Sequence, residues 1–138
     1  MKLKYHVAVV AALFGLLGAA GPGAAVTPQV IRLTSVKVSQ HQTKTVSVDR
    51  DNDYIGSKKI GHDTVTCSAV SKNSARCKVA FVRARGTIFL SFRTTFTALS
   101  GSGIVTGGSG AYDGVRGTFS YRALNKRNTR TAVVLRLT

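Results

Sequence analysis

From residue 30 to its end the chain alternates apolar and polar side chains in short runs separated by Gly, Asn, Asp and Ser, with no stretch that repeats at helical spacing. Period two places successive side chains on opposite faces of an extended strand, so this pattern confines the chain to an antiparallel all-β fold. Eight runs are candidate strands: 30–39, 44–49, 63–70, 75–82, 87–92, 94–99, 115–123 and 129–137. Eight strands are enough to close a small barrel.

The pattern does not include the first 25 residues. Lys2 and Lys4 precede an unbroken apolar run from Val7 to Leu17, and a small, breaker-rich segment follows to Ala25. That order is the order of a cleavable secretory signal, and the run is too short to span a bilayer. Residues 1–25 are therefore expected to be a signal peptide cut after Ala25, with Ala20 as the alternative site, and residues 26–138 a single secreted, extracellular domain.

Two cysteines in an exported chain point to one disulfide. A hairpin turning on Ser71-Lys72-Asn73 places Cys67 directly opposite Cys77, close enough for a bond after a small local adjustment. Metal binding by this pair lacks ligands, since His41 and His62 lie upstream without finger-like spacing. Neither a metal nor a cofactor is expected.

Parity assigns the faces. Val65 and Cys67; Cys77, Val79 and Phe81; Ile88, Leu90 and Phe92; Phe119 and Tyr121; and Val133, Leu135 and Leu137 share the core side, and Ala69 and Ala123 fall with them. The opposite side takes Arg76, Lys78, Arg116, Arg122, Arg130 and Arg136. Charge is one-sided throughout: of 20 Lys and Arg two precede residue 26, leaving 18 against 5 acidic residues, all Asp. Such a field favours anionic partners, among them cell-envelope polymers, without specifying a nucleic acid sequence.

The segment from Val105 to Thr118, VTGGSGAYDGVRGT, resembles the glycine signature of the allene oxide cyclase and dirigent proteins, and the stretch from Gly56 to Cys77 is similar to small exported bacterial members. The resemblance implies an eight-stranded antiparallel barrel around a cavity, trimeric in many plant members. It implies activities that cyclise, couple or fold a reactive small molecule by holding it in one conformation. On this reading Ile88, Leu90, Phe92, Phe119 and Tyr121 line a lumen for a small apolar or phenolic ligand. Gly107, Gly108 and Gly110 form a tight turn, and Gly114 and Gly117 allow a bulge or close strand approach. As a phosphate cradle the segment lacks the GxGxxG spacing and a following helix.

The match has departures. Plant cyclases are described as using a cavity glutamate, and this chain has no Glu. The signature arginine falls on Arg116, which parity sets beside Thr118, Ser120 and Arg122, favouring solvent or a structural ion pair over the lumen. Asp63, beside His62 at the head of a strand, is the candidate acid or base, and Arg116 is the second candidate catalytic residue if the lumen is polar on its side. Asp49, Asp51 and Asp53 lack the Gly and Glu of a calcium loop and read as a solvated turn. Hydrolytic classes fare poorly, because a Glu/His pair and a nucleophile elbow are both missing from the sequence.

Overall fold

The computed structural model describes residues 27–138, so the expected signal peptide of residues 1–25 lies outside the described residues. Eight strands follow in order: β1 (Gln29–Gln42), β2 (Val46–Ile55), β3 (Lys58–Ala69), β4 (Ser74–Arg83), β5 (Gly86–Thr95), β6 (Ser100–Gly108), β7 (Gly117–Ala123) and β8 (Arg130–Leu137). Each pairs antiparallel with its successor, and β8 pairs with β1, which closes an up-and-down barrel. Closure removes free sheet edges. Among the described residues no helix is long and apolar enough to cross a membrane.

The two ends of the barrel differ. At one end a short 3-10 turn, η1 (Gly110–Tyr112), folds inward between β6 and β7. Tyr112 and Val115 are buried there on a core of Ile31, Leu33, Ile88, Val105, Leu135 and Leu137. This end is solid. The other end is framed by the β1–β2, β3–β4, β5–β6 and β7–β8 connections and stays open.

The β3–β4 hairpin sets Cys67 opposite Cys77, and the two form a disulfide with Cα atoms 4.0 Å apart. Its closed loop is short, so a double Cys→Ser variant is expected to lose about 2–3 kcal/mol in chemical denaturation. Thiol titration of the denatured, unreduced protein should find no reactive thiol.

Several expectations need correction. The run 94–99 is not a strand: β5 continues to Thr95, and a turn occupies the following residues. The missed strand is β6, Ser100–Gly108, whose glycines disguise it. At its inward positions Gly103 faces Phe119 and Gly101 faces Tyr121 across the β6–β7 ladder, and a Cβ at Gly103 would collide with the Phe119 ring. The strand surrenders its own side chains so that two aromatic rings can lie across it. Gly107 and Gly108 accordingly belong to β6 and not to a left-handed turn, whereas Gly110 and Gly114 do take positive φ, of 61° and 75°.

Gly117 begins β7 at φ 145°, and a Cβ there would run into the backbone carbonyl oxygen of Arg136. Gly117→Ala is therefore expected to cost about 1–3 kcal/mol, read as a lowered denaturation midpoint, since backbone on a closed ladder has no room to shift.

A further correction concerns Asp49-Arg50-Asp51-Asn52-Asp53. This is no solvated turn but the middle of β2, and Asp53 is 1% exposed. Asp63 likewise sits inside β3, which starts at Lys58, and not at the head of a strand. Parity otherwise holds: Cys77, Val79, Phe81, Ile88, Leu90, Phe119, Val133, Leu135 and Leu137 are buried, while Ala69, near the open end, is exposed.

Candidate functional site

The open end leads into a cavity of about 460 Å³, within the ordinary range for small-molecule sites. Its walls are chemically unlike each other. One is aromatic, where Phe92 meets Phe119 edge to face at 5.5 Å between centroids and lies 5.1 Å from Tyr121. Leu90, Phe81 and Val79 extend this surface inward, and the Tyr121 hydroxyl and Thr94 Oγ1 share a 2.9 Å hydrogen bond near the mouth.

The facing wall, built by β1, β2 and β3, is acidic. Ser47, Asp49 and Asp51 line the cavity from alternate positions of β2, Asp63 lines it from β3, and Ser35 and Lys37 from β1. Asp53 is buried behind them, in register with Ser35. Four of the chain's five acidic residues are thus gathered inside the barrel. A bulge between Lys37 and Ser39 restarts the alternation of β1, which turns Gln40 and Gln42 toward the mouth.

Ser35 determines how the innermost acids share protons. Its Oγ lies 2.7 Å from Asp53 Oδ1 and 2.8 Å from Asp63 Oδ2. A hydroxyl owns one proton and can donate once. For both contacts to be hydrogen bonds, one acid must be protonated and donate to Ser35. Desolvation by burial drives Asp63 up to about 9, reinforced by the neighbouring Asp53, and Asp53 is raised by the same desolvation. The geometry and the burial agree that this pair retains a proton at neutral pH, with Asp63 as the holder.

Asp51, also raised by burial, titrates at about 6, with Lys37 opposing the shift. Lys37 itself is engaged by Asp49 at 2.8 Å. Asp51 Oδ1, Asp53 Oδ2 and Asp63 Oδ1 are buried without a hydrogen-bond partner among the described residues. Buried polar atoms normally have partners, so the two of these oxygens that border the cavity, on Asp51 and Asp63, mark a place built to receive donors.

The expected site residues divide accordingly. Asp63, Leu90, Phe92, Phe119 and Tyr121 border the cavity together. Ile88 is fully buried below it in the solid end. Arg116 is exposed on the outside, its Nη1 donating to the Val115 carbonyl at 2.8 Å, so it does not accompany Asp63. His62 is also exposed, on the outer side of β3. Ser35, Lys37, Asp51 and Asp53 went unrecognised. For the two acids the signal is the alternation Ser47, Asp49, Asp51, Asp53, which has the period of a strand.

No protein-family model matches the sequence, and neither does any curated protein. Solved structures do match in fold. A pyocyanin demethylase superposes with a TM-score of 0.65 at 19% identity, over 80% of this chain and 100% of that one. A pterocarpan synthase dirigent protein gives 0.60 at 10% identity, over 86% and 93% of the two chains. A Diels Alderase from Streptomyces koyangensis gives 0.60 at 16% identity, over 100% and 83%. At such identities the likeness is one of fold, and this chain has the barrel of dirigent proteins and cycloaddition cyclases.

Proposed function

We propose that the barrel is an exported ligand-steering protein that takes a small phenolic molecule into its cavity and fixes its conformation between the aromatic and acidic walls. The observation that carries this reading is the pair of unpartnered carboxyl oxygens, on Asp51 and Asp63, that border the cavity opposite a cluster of rings. A planar ring packs on Phe92 and Phe119, while its hydroxyl protons meet Asp51 and Asp63 in place of water. An aliphatic molecule without donors would leave those oxygens unpaired.

Two contributions follow from the chain's own residues. The walls restrict the ligand's torsions and exclude water, which favours one reaction geometry over others. Asp63, protonated at neutral pH, holds a proton beside the ligand that it can lend to a developing negative charge and recover. The fold likeness to a dirigent protein and a Diels Alderase supports steering as the mode of action. The disulfide supports export into an oxidising compartment.

Titration with 7-hydroxycoumarin, followed by its fluorescence, tests the reading. Binding is expected to the parent, about tenfold weaker to Phe92→Ala and to Asp51→Ala, and absent for cyclohexanol used as a competitor. A parent protein that takes up no phenolic probe, or one from which cyclohexanol displaces the probe as well as unlabelled phenol does, would exclude it.

A further inference from the structure

We infer that the open rim docks on an anionic lipid surface, so that the mouth of the cavity faces the bilayer interface. The connections around the mouth are residues 43–45, 70–73, 96–99 and 124–129. They present Val70, Phe96, Leu99 and Leu124 to solvent, at 52%, 60%, 52% and 45% exposure. The same connections carry Lys44, Lys72, Lys126 and Arg127 and not one acidic residue.

These side chains are exposed although their backbones are held. Phe96 N donates to the Asn73 carbonyl at 3.1 Å, Ala123 N to Leu99 at 2.6 Å, and Leu124 N to Arg130 at 2.8 Å. Large apolar side chains held outward at loop tips need a partner to cover them, because exposing them costs free energy. The opposite end offers Ile55 on the β2–β3 hairpin and Val30 at the start of β1, and Asp113 sits among the basic residues there.

The chemistry of the rim selects the occupant. A second copy would oppose one basic rim to another, which repulsion disfavours. A hydrated polyanion satisfies the cations but gives Phe96 and Leu99 nothing to enter. An anionic lipid surface supplies both, with phosphates for the Lys and Arg and acyl chains beneath for the apolar tips. Entry stops at the rim, since Arg76, Lys78, Arg93 and Arg122 stand exposed on the barrel wall. Docking stands on the rim alone. Its purpose, passing a phenolic molecule from the lipid interface to the cavity, rests on the proposed ligand, whereas the experiment contains none.

The chain has no tryptophan, so Phe96→Trp provides a single reporter. Vesicles of equal parts phosphatidylcholine and phosphatidylglycerol should bind this protein and shift its emission to the blue, whereas vesicles of phosphatidylcholine alone should not. In flotation, Leu99→Ser combined with Leu124→Ser should weaken binding about tenfold, as should Lys72→Gln combined with Lys126→Gln and Arg127→Gln. Lys58→Gln with Lys59→Gln at the opposite end should leave it within about twofold, because charge there is remote from the lipid. All of these side chains are exposed, and a melting curve for each variant confirms its fold. No binding to the mixed vesicles would overturn the inference. So would binding without a blue shift that soluble polyphosphate competes away, which would assign the rim to a polyanion. An equal loss from the opposite-end variant would overturn it too.

Discussion

The barrel is expected to lose stability as the pH rises from about 4 to about 9, the reverse of ordinary acid denaturation. Asp63 has its folded pKa raised from 3.8 to about 9, and Asp51 from 3.8 to about 6, both chiefly by burial. A group whose pKa is raised on folding binds its proton more tightly in the folded state. Its contribution is complete below the unfolded value and disappears as the pH passes through the folded one. In the interval each such group contributes a slope of up to about 1.4 kcal/mol per pH unit. Asp51 ends its share near 6, and Asp63 continues alone toward alkaline pH. Asp63→Asn keeps the shape and a donor toward Ser35 while removing the titration. It should flatten the upper part of the profile and be more stable than the parent at about pH 8, where the slope has accumulated over the whole interval from the unfolded value. Urea denaturation across that range measures both. A parent whose stability climbs through the same window, with Asp63→Asn destabilised at alkaline pH, would mean that Asp63 is ionised in the fold and that the proton-sharing assignment to Ser35 is wrong. The same variant should also blunt steering of a bound phenol without abolishing its uptake, since ring packing on Phe92 is untouched.

Phe119→Ala should destabilise the barrel by about 3–5 kcal/mol. The ring is 3% exposed, meets Phe92 edge to face, and covers the place on β6 where Gly103 has no side chain. Deleting it leaves two adjacent inward positions on paired strands both empty, which neighbouring backbone cannot close because the ladder is circular. The cavity would grow inward, and bulkier phenols should gain affinity relative to small ones. Gly103→Ala should cost less in the Phe119→Ala background than in the parent, because the ring clash is gone while those with the Ser91 carbonyl oxygen and the Phe92 Cβ remain. The same Gly103→Ala change alone should destabilise, because its Cβ meets the ring and the Ser91 carbonyl oxygen. Equilibrium unfolding of the four proteins forms a double-mutant cycle, and simple additivity would show that the two positions do not fill one space.

That glycine and ring exchange explains where sequence reading failed. A strand whose inward positions are Gly101 and Gly103 carries no hydrophobic alternation, so the segment reads as a turn, and the apolar tip Phe96–Leu99 is taken for a strand in its place. The acids failed for a related reason. Asp49, Asp51 and Asp53 alternate as a strand does, yet composition argues for a solvated turn, because isolated carboxylates do not enter cores. They are tolerated because the barrel keeps a cavity at that level and because protons, Ser35 and Lys37 offset the charge.

By itself the sequence determined what is local. Period two made the strands, the Ser71-Lys72-Asn73 turn set Cys67 against Cys77, and parity separated the outward arginines from the inward apolar positions. These follow from covalent geometry and nearest neighbours along the chain. Only the tertiary structure decided which half of the barrel is solid and which is hollow, since that depends on η1 filling one end. It alone brought Ser35, Asp53 and Asp63 together from three strands, because the registers of β1 on β2 and of β2 on β3 set which positions lie side by side, and no period within one strand encodes a register.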